Sequence, residues 1–223
     1  MTDEWLNLIQ ITLDSWWPIL RSGLKLTIPL TLISFAFGLV IAIITALLRI
    51  SKIKLLQKIA GFYVWIFRGT PLLVQLFIIF FGLPSVGIML DAFPSAIIAF
   101  SLNVGAYCSE TIRSSILAIN KGQWDAAFSI GMTKRRALLR IIAPQALSIA
   151  LPPLSNSFIS LVKDTSLAAN ITIAEMFMTA QRIAARTYEP MLLYCLVAVF
   201  YLLFSTVLSH AQTRMEKAFS KGR

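Results

Sequence analysis

Leu26 to Leu48 reads LTIPLTLISFAFGLVIAIITALL, and no charge interrupts it between Lys25 and Arg49. An α-helix needs about 20 apolar residues to cross the hydrocarbon core of a bilayer, and a spanning backbone must satisfy its own hydrogen bonds. The apolar residues are continuous rather than alternating, which excludes a barrel strand. Working outward, four further runs fit the same description: Ile59 to Leu90, interrupted at Arg68-Gly69-Thr70-Pro71, then Phe93 to Ile116, Pro144 to Val162 and Pro190 to Ser209. Composition agrees with this reading. The chain is 57% hydrophobic and 13% charged, against about 25% charged in a soluble domain, and its mean hydropathy is +0.78. The expectation is an all-α integral membrane protein with about five transmembrane helices.

The flanks complete the outline. Residues 1–20 form an amphipathic helix lying at the membrane interface, with Trp16 and Trp17 as anchors. Residues 21–213 make one transmembrane domain, and 214–223 a basic tail. Bases cluster between spans one and two (Arg49, Lys52, Lys54, Lys58), between three and four (Lys121, Lys134, Arg135, Arg136, Arg140), and after span five (Arg214, Lys217, Lys221, Arg223). The connection from Ser85 to Ala92 has none. Positive residues stay on the cytoplasmic side, so the N-terminus faces outward and the C-terminus inward, against a smaller opposing set of Arg21, Lys25, Arg182 and Arg186. The formal charge of +10 therefore speaks for orientation and anionic lipid, not for nucleic acid. Cys108, Cys195 and the single His210 offer neither a disulfide framework nor a metal spacing.

The third connection, about 121–144, is long and has a pattern of its own. Asp125 opens a short helix in favour of its dipole, Gly131 ends it in the left-handed conformation, Thr133 caps a second short helix, and Pro144 starts the next span. Two short helices bent at a glycine form a compact docking knob. The spacing Asp125-Ala126-Ala127, Gly131, Ile141, Pro144 resembles the coupling-helix signature of ABC-importer permeases with every interval kept. Asp125 stands in place of Glu, and Ala143 in place of Leu.

The runs Phe67-Arg68-Gly69-Thr70-Pro71-Leu72 with Gln75, Leu102-Asn103 with Ala106-Tyr107 and Glu110, and Leu151 to Leu167 resemble the polar amino-acid uptake branch of that superfamily, and the last is most similar to permeases of the cystine type. The resemblance covers roughly residues 20–213. It implies the type I ABC-importer permease fold in a bacterial cell (inner) membrane. It also implies a second permease subunit, with pairing of the chain with itself (a homodimer) as the first choice, an ABC ATPase dimer inside and an extracytoplasmic solute-binding protein outside. The substrate it implies is L-cystine, with glutamine or another neutral polar amino acid as the alternative. Permeases for arginine or histidine often carry an acid where Ser157 stands.

No G-x-x-x-x-G-K-[ST] loop is present to cradle phosphates, so the expectation is a transport subunit without cofactor or ATPase site, with ATP and Mg held by the partner ATPase. Charges at membrane depth point to function. Ser157, Ser160 and Asp164 share one helical face, and with Thr70 and Asn103 they form the expected substrate site. Asp164 takes the ammonium group, and Asn103 and Thr70 donate to the carboxylate. Arg68 snorkels, holds the helix break through a backbone carbonyl, or touches substrate. Glu110 pairs with Arg113, and Lys163-Asp164 is an intersubunit lock or part of the site. The segment from Ile171 to Arg186 is an outer-face helix against the binding protein or a neighbour. A secondary transporter is the rival class, but matched broken helices in two repeats are lacking. An intramembrane enzyme lacks a nucleophile with its base.

Overall fold

The computed structural model describes residues 2–220, with side chains from 4 to 217, and Lys221 and Arg223 of the expected basic tail lie outside the described residues. The described chain is helical throughout its ordered elements. In order these are α1 (Thr2–Ser22), α2 (Ile28–Arg49), α3 (Lys54–Gly69), α4 (Leu72–Phe77), α5 (Ala92–Leu117), α6 (Lys121–Ser129), α7 (Lys134–Ala137), α8 (Ala143–Asp164), α9 (Met176–Thr187) and α10 (Pro190–Ser220). Four continuous helices among them are long and apolar enough to cross a membrane, and the bent pair Lys54–Gly69 with Leu72–Val86 makes a fifth crossing if counted as one.

Two helices are longer than the hydropathy runs suggest. A single π-turn at Gly23–Thr27 joins α1 to α2, so the N-terminal helix expected to be separate runs straight into the first span as one helix from Glu4 to Arg49. The face of α1 bearing Ile11 and Ile19 packs against α9 and α10 through Met176, Ala180 and Leu193. Trp16 and Trp17 remain largely exposed and touch each other edge to face. In the same way α7 reaches α8 through a π-turn at Leu138–Ile142. Pro144 therefore sits directly after the π-turn, at the first turn of α8, and does not interrupt the rod.

The frame is the pair α2 and α5. Along α2 the residues Ser34, Gly38, Ala42 and Ala46 recur at every fourth position and are buried. On α5 the buried Ser101, Val104 and Gly105 face the same seam. Small residues at this spacing let two backbones approach closely, which replaces the hydrophobic drive that lipid cannot supply. Ser101 Oγ donates to the Ser34 carbonyl at 3.1 Å across the seam. A Cβ on Gly105 would lie 2.7 Å from Ile41 Cγ2 and 2.9 Å from Tyr63 Oη. The outward residues are large and apolar, with Phe37, Val40 and Ile44 on α2 and Leu202, Leu203 and Val207 on α10 exposed, as a lipid-facing belt requires.

A second fixed point was not legible beforehand. Glu175 is fully buried, caps α9 by accepting from Phe177 N and Met178 N, and accepts from Tyr201 Oη of α10 at 2.7 Å. With three donors on its two carboxylate oxygens, the burial cost of the group is largely offset.

Because the α2–α5 seam is filled, Gly105→Ala should destabilise the protein by about 1–3 kcal/mol through overpacking. The check is the melting temperature of the purified protein in detergent, which should fall relative to wild type, whereas Gly61→Ala, whose Cβ meets nothing within 4 Å, should leave it unchanged.

Candidate functional site

Proline 71 creates the site. It has no N–H, so the Phe67 carbonyl four residues earlier loses its helical partner, and the residue before a proline is driven to extended backbone. Thr70 adopts φ −121°, ψ 148° and Pro71 φ −64°, ψ 137°. The chain turns by 106° between α3 and the segment beginning at Leu72. Gln75 Nε2 then lies 2.9 Å from the Phe67 carbonyl, 3.1 Å from the Thr70 carbonyl and 2.8 Å from Thr70 Oγ1. Asn103 Nδ2 of α5 donates to Gln75 Oε1 at 2.9 Å and approaches the Phe67 carbonyl at 3.4 Å. The Thr70 hydroxyl donates to the Ile66 carbonyl at 2.8 Å. Two amide side chains and one hydroxyl thus carry the unpaired carbonyls of a broken span.

Against this break lies a cavity of about 480 Å3. Thr70, Asn103, Ser157, Ser160 and Asp164, all five residues picked out from the sequence, line it together. The α3–α5 side supplies Thr70, Pro71, Asn103 and Tyr107, and α8 supplies Asn156, Ser157, Ser160 and Asp164. Tyr107 and Asn156 are the wall residues that sequence reasoning did not place in the site. Their signal was available, since Tyr107 is one turn beyond Asn103 and Asn156 one turn before Ser160.

The hydrogen-bond inventory refines the roles. The Asn103 amide and the Thr70 hydroxyl are committed to the break, and the Ser157 hydroxyl donates to the Pro153 carbonyl at 3.0 Å. Among the described residues Asp164 makes no hydrogen bond or ion pair, and the Asn156 and Ser160 side chains make no hydrogen bond. Asp164 is thus available as an acceptor, while the expected carboxylate donors Asn103 and Thr70 are structural supports in this conformation.

The remaining charges separate cleanly. Glu110 pairs with Arg113 on its own helix, as the i+3 spacing suggested, and also with Arg49 at the end of α2. Arg68 does not bond to a backbone carbonyl; its guanidinium carbon lies 5.3 Å from the centre of the Tyr107 ring. Lys163 turns away from the cavity and lines a different groove with Ser166, Tyr194 and Tyr201.

The connection from α5 to α8 is built mostly as read. Gly131 has φ +78°, and the bonds Gly131 N to Phe128 O at 2.9 Å and Met132 N to Ala127 O at 3.1 Å close the helix end in a Schellman motif. Thr133 caps α7 by accepting from Arg136 N. Asp125 does not open α6, however. Asn120 is the cap, accepting from Gly122 N at 2.8 Å, so Asp125 and Ala126 sit mid-helix and exposed while Ala127 is buried. Trp124, Ile141 and Ile142 anchor the knob to Ile116 and Ile119 at the end of α5, leaving Phe128, Ile130 and Leu139 exposed.

Comparison with known proteins places this geometry. The family model described as "Binding-protein-dependent transport system inner membrane component" matches residues 11–221. The L-cystine transport system permease protein TcyB of Bacillus subtilis (strain 168) is 53% identical over 209 residues, 93% of this chain and 89% of that one. The probable amino-acid ABC transporter permease protein YckA of the same organism is 38% identical over 217 residues, covering 97% of this chain and 96% of that one. Among solved structures, an amino acid ABC transporter crystallised with histidines superposes with a TM-score of 0.87 at 34% identity, covering 92% of this chain and 96% of that one. The MetNI methionine transporter, with a TM-score of 0.70 at 18% identity, shares the fold.

Removing the support of the break has a defined cost. Gln75→Leu leaves the Phe67 and Thr70 carbonyls short of donors and should destabilise by about 1–3 kcal/mol for each group left unpaired. Adding Asn103→Leu should cost much less in that background than alone, because the two amides act as one network. Melting temperatures of the two single variants and the double variant measure the coupling.

Proposed function

The chain belongs to the inner membrane components of binding-protein-dependent transport systems, and from that premise we propose that it is the permease subunit of an ATP-driven importer whose substrate is L-cystine. The observation that carries the substrate is the 53% identity to an L-cystine permease over 93% of the chain. Support comes from the cavity, whose one free acid, Asp164, suits an ammonium group and whose Ser157 stands where permeases resembling those for arginine or histidine often carry a second acid. In this reading two copies of the chain pair with each other and with an ATPase dimer inside, and a solute-binding protein delivers substrate to the outer face. The N-terminus is outside, and the connection bearing α6 and α7 is cytoplasmic.

The geometry gives a mechanical route from ATP to substrate. The ATPase engages the exposed face of the knob, where Phe128 and Ile130 project. From Lys134 the chain is one helical rod to Asp164, about 45 Å at 1.5 Å per residue. Displacement of the knob is therefore carried along this helix, through Pro152 and Pro153, to Ser157, Ser160 and Asp164. The opposite wall is fixed to α2 through the close α2–α5 seam. ATP binding draws the two knobs together and shifts α8 against α5, opening the cavity outward; hydrolysis returns it. The chain performs no covalent step.

Uptake of labelled cystine into proteoliposomes holding the chain, its ATPase and its binding protein tests this reading. ATP-dependent accumulation is expected, and Asp164→Asn should abolish it while the complex still purifies intact. Gly131→Pro cannot adopt the positive φ of the knob and should reduce uptake at least about tenfold, the loss that about 1.4 kcal/mol of coupling implies. Accumulation of glutamine in place of cystine corrects the substrate and keeps the class. Accumulation that persists without the ATPase removes the importer reading.

A further inference from the structure

A zwitterionic substrate presents an ammonium group and a carboxylate, and the cavity as described answers only the first. Asp164 provides an acceptor from the α8 wall, but the amide and hydroxyl donors of the break are spent on the Phe67, Thr70 and Ile66 carbonyls. Asn156 and Ser160 have free dipoles but no charge. Resting on the amino-acid reading, we propose that Arg68 receives the substrate carboxylate and makes recognition of the zwitterion a contact with both walls.

Four observations converge on this residue. Arg68 is the last full turn of α3 before the break, within a span, where an unpaired cation is costly and is retained for function. Among the described residues it makes no ion pair and no side-chain hydrogen bond. The acid one turn beyond Tyr107, Glu110, holds Arg49 and Arg113 in ion pairs, and Arg68 feels its charge only from beyond ion-pair distance. Finally, Arg68 lies 5.3 Å from the centre of the Tyr107 ring, and Tyr107 is part of the cavity wall. A guanidinium held on an aromatic face spends none of its five N–H donors, and its planar fork matches a carboxylate. Lys163, the cation next to Asp164 on α8, lines the groove with Tyr194 and Tyr201 instead of the cavity, whereas Arg68 rests on a ring that belongs to the cavity wall. Its competing role, snorkelling toward a polar interface, requires no particular partner and predicts no preference among substrates.

Equilibrium binding separates these roles, and it bypasses the filter of the solute-binding protein. The complex of this chain with its ATPase, in nanodiscs without the binding protein, is titrated with labelled L-cystine. Unlabelled cystine, its dimethyl ester and cystamine serve as competitors, the last two having the carboxylates masked or removed. Wild type should prefer cystine over both analogues by at least about tenfold, the effect of a charge-assisted hydrogen bond. Arg68→Gln should weaken cystine to the level of the ester and leave the ester unchanged, so that the ratio falls to about one. Arg68→Lys should restore part of the ratio, and Tyr107→Leu, which keeps the cation but removes its platform, should lower it. Asp164→Asn should weaken all three ligands and preserve the ratio. An Arg68→Gln complex that binds cystine and ester with the wild-type ratio overturns the assignment alone. A wild-type complex that binds no cystine, glutamine or other amino acid overturns the transport reading beneath it as well.

Discussion

The Phe67 carbonyl, deprived of its partner by Pro71, is the constraint from which the rest follows. In lipid a bare carbonyl is not tolerated, so the break exists only because Gln75 from beyond it and Asn103 from α5 reach the same atom. That requirement brings α5 against the broken span and fixes the wall of the cavity. It also explains why the break is sharp rather than a gentle kink. From beyond the proline Gln75 reaches back to the Phe67 and Thr70 carbonyls before it, which ties the two segments together across their 106° turn. Residues that look like ligands, Thr70 and Asn103, are therefore first of all the reason that a cavity is present.

Rigidity is distributed unevenly around that cavity, in a way that suits a moving part. The α3–α5 wall is tied to α2 by a seam of small residues and by the Arg49–Glu110–Arg113 cluster. The α8 wall is a continuous helix that carries Pro152 and Pro153, and its Ser157 hydroxyl turns back on its own backbone. At its far end the 310 turn Thr165–Ile171 and the Glu175 cap join it to α9 and α10. A continuous helix carries displacement from one end toward the other, whereas an irregular linker would absorb it.

The spans and the break were legible in the sequence because hydropathy and proline act locally. Gly131 was legible for the same reason, since a positive φ at a helix end selects glycine. The limits were legible less well. The joins at Gly23–Thr27 and Leu138–Ile142 depend on π-turns, in which one additional residue lets a helix continue past a proline or a change in polarity, and no composition marks them. Asn120 displaced Asp125 as the cap because it begins the helix one turn earlier, and an acid mid-helix is equally compatible with the spacing. The Arg49–Glu110 pair joins residues 61 apart, and Glu175 finds Tyr201 across a helix boundary. Such partners are set by packing, which periodicity does not encode.

The charges within the spans can be sorted by whether the chain itself satisfies them. Glu110 has two guanidinium partners, and Glu175 has two backbone N–H groups and a phenol. Their energetic cost is met at home, and they serve structure. Asp164 and Arg68 make no hydrogen bond or ion pair among the described residues; Asp164 lines the cavity from α8, and Arg68 rests on the ring of Tyr107, which lines it from α5. They do not neutralise each other, because each is held by a different wall of the site. A bilayer exacts several kcal/mol for an unmatched charge, and the fold has no structural return for leaving two of opposite sign apart. The pair is rational as a template that a doubly charged but neutral molecule completes. Binding then removes both electrostatic penalties at once, and it couples the moving wall to the fixed one for as long as the substrate is present.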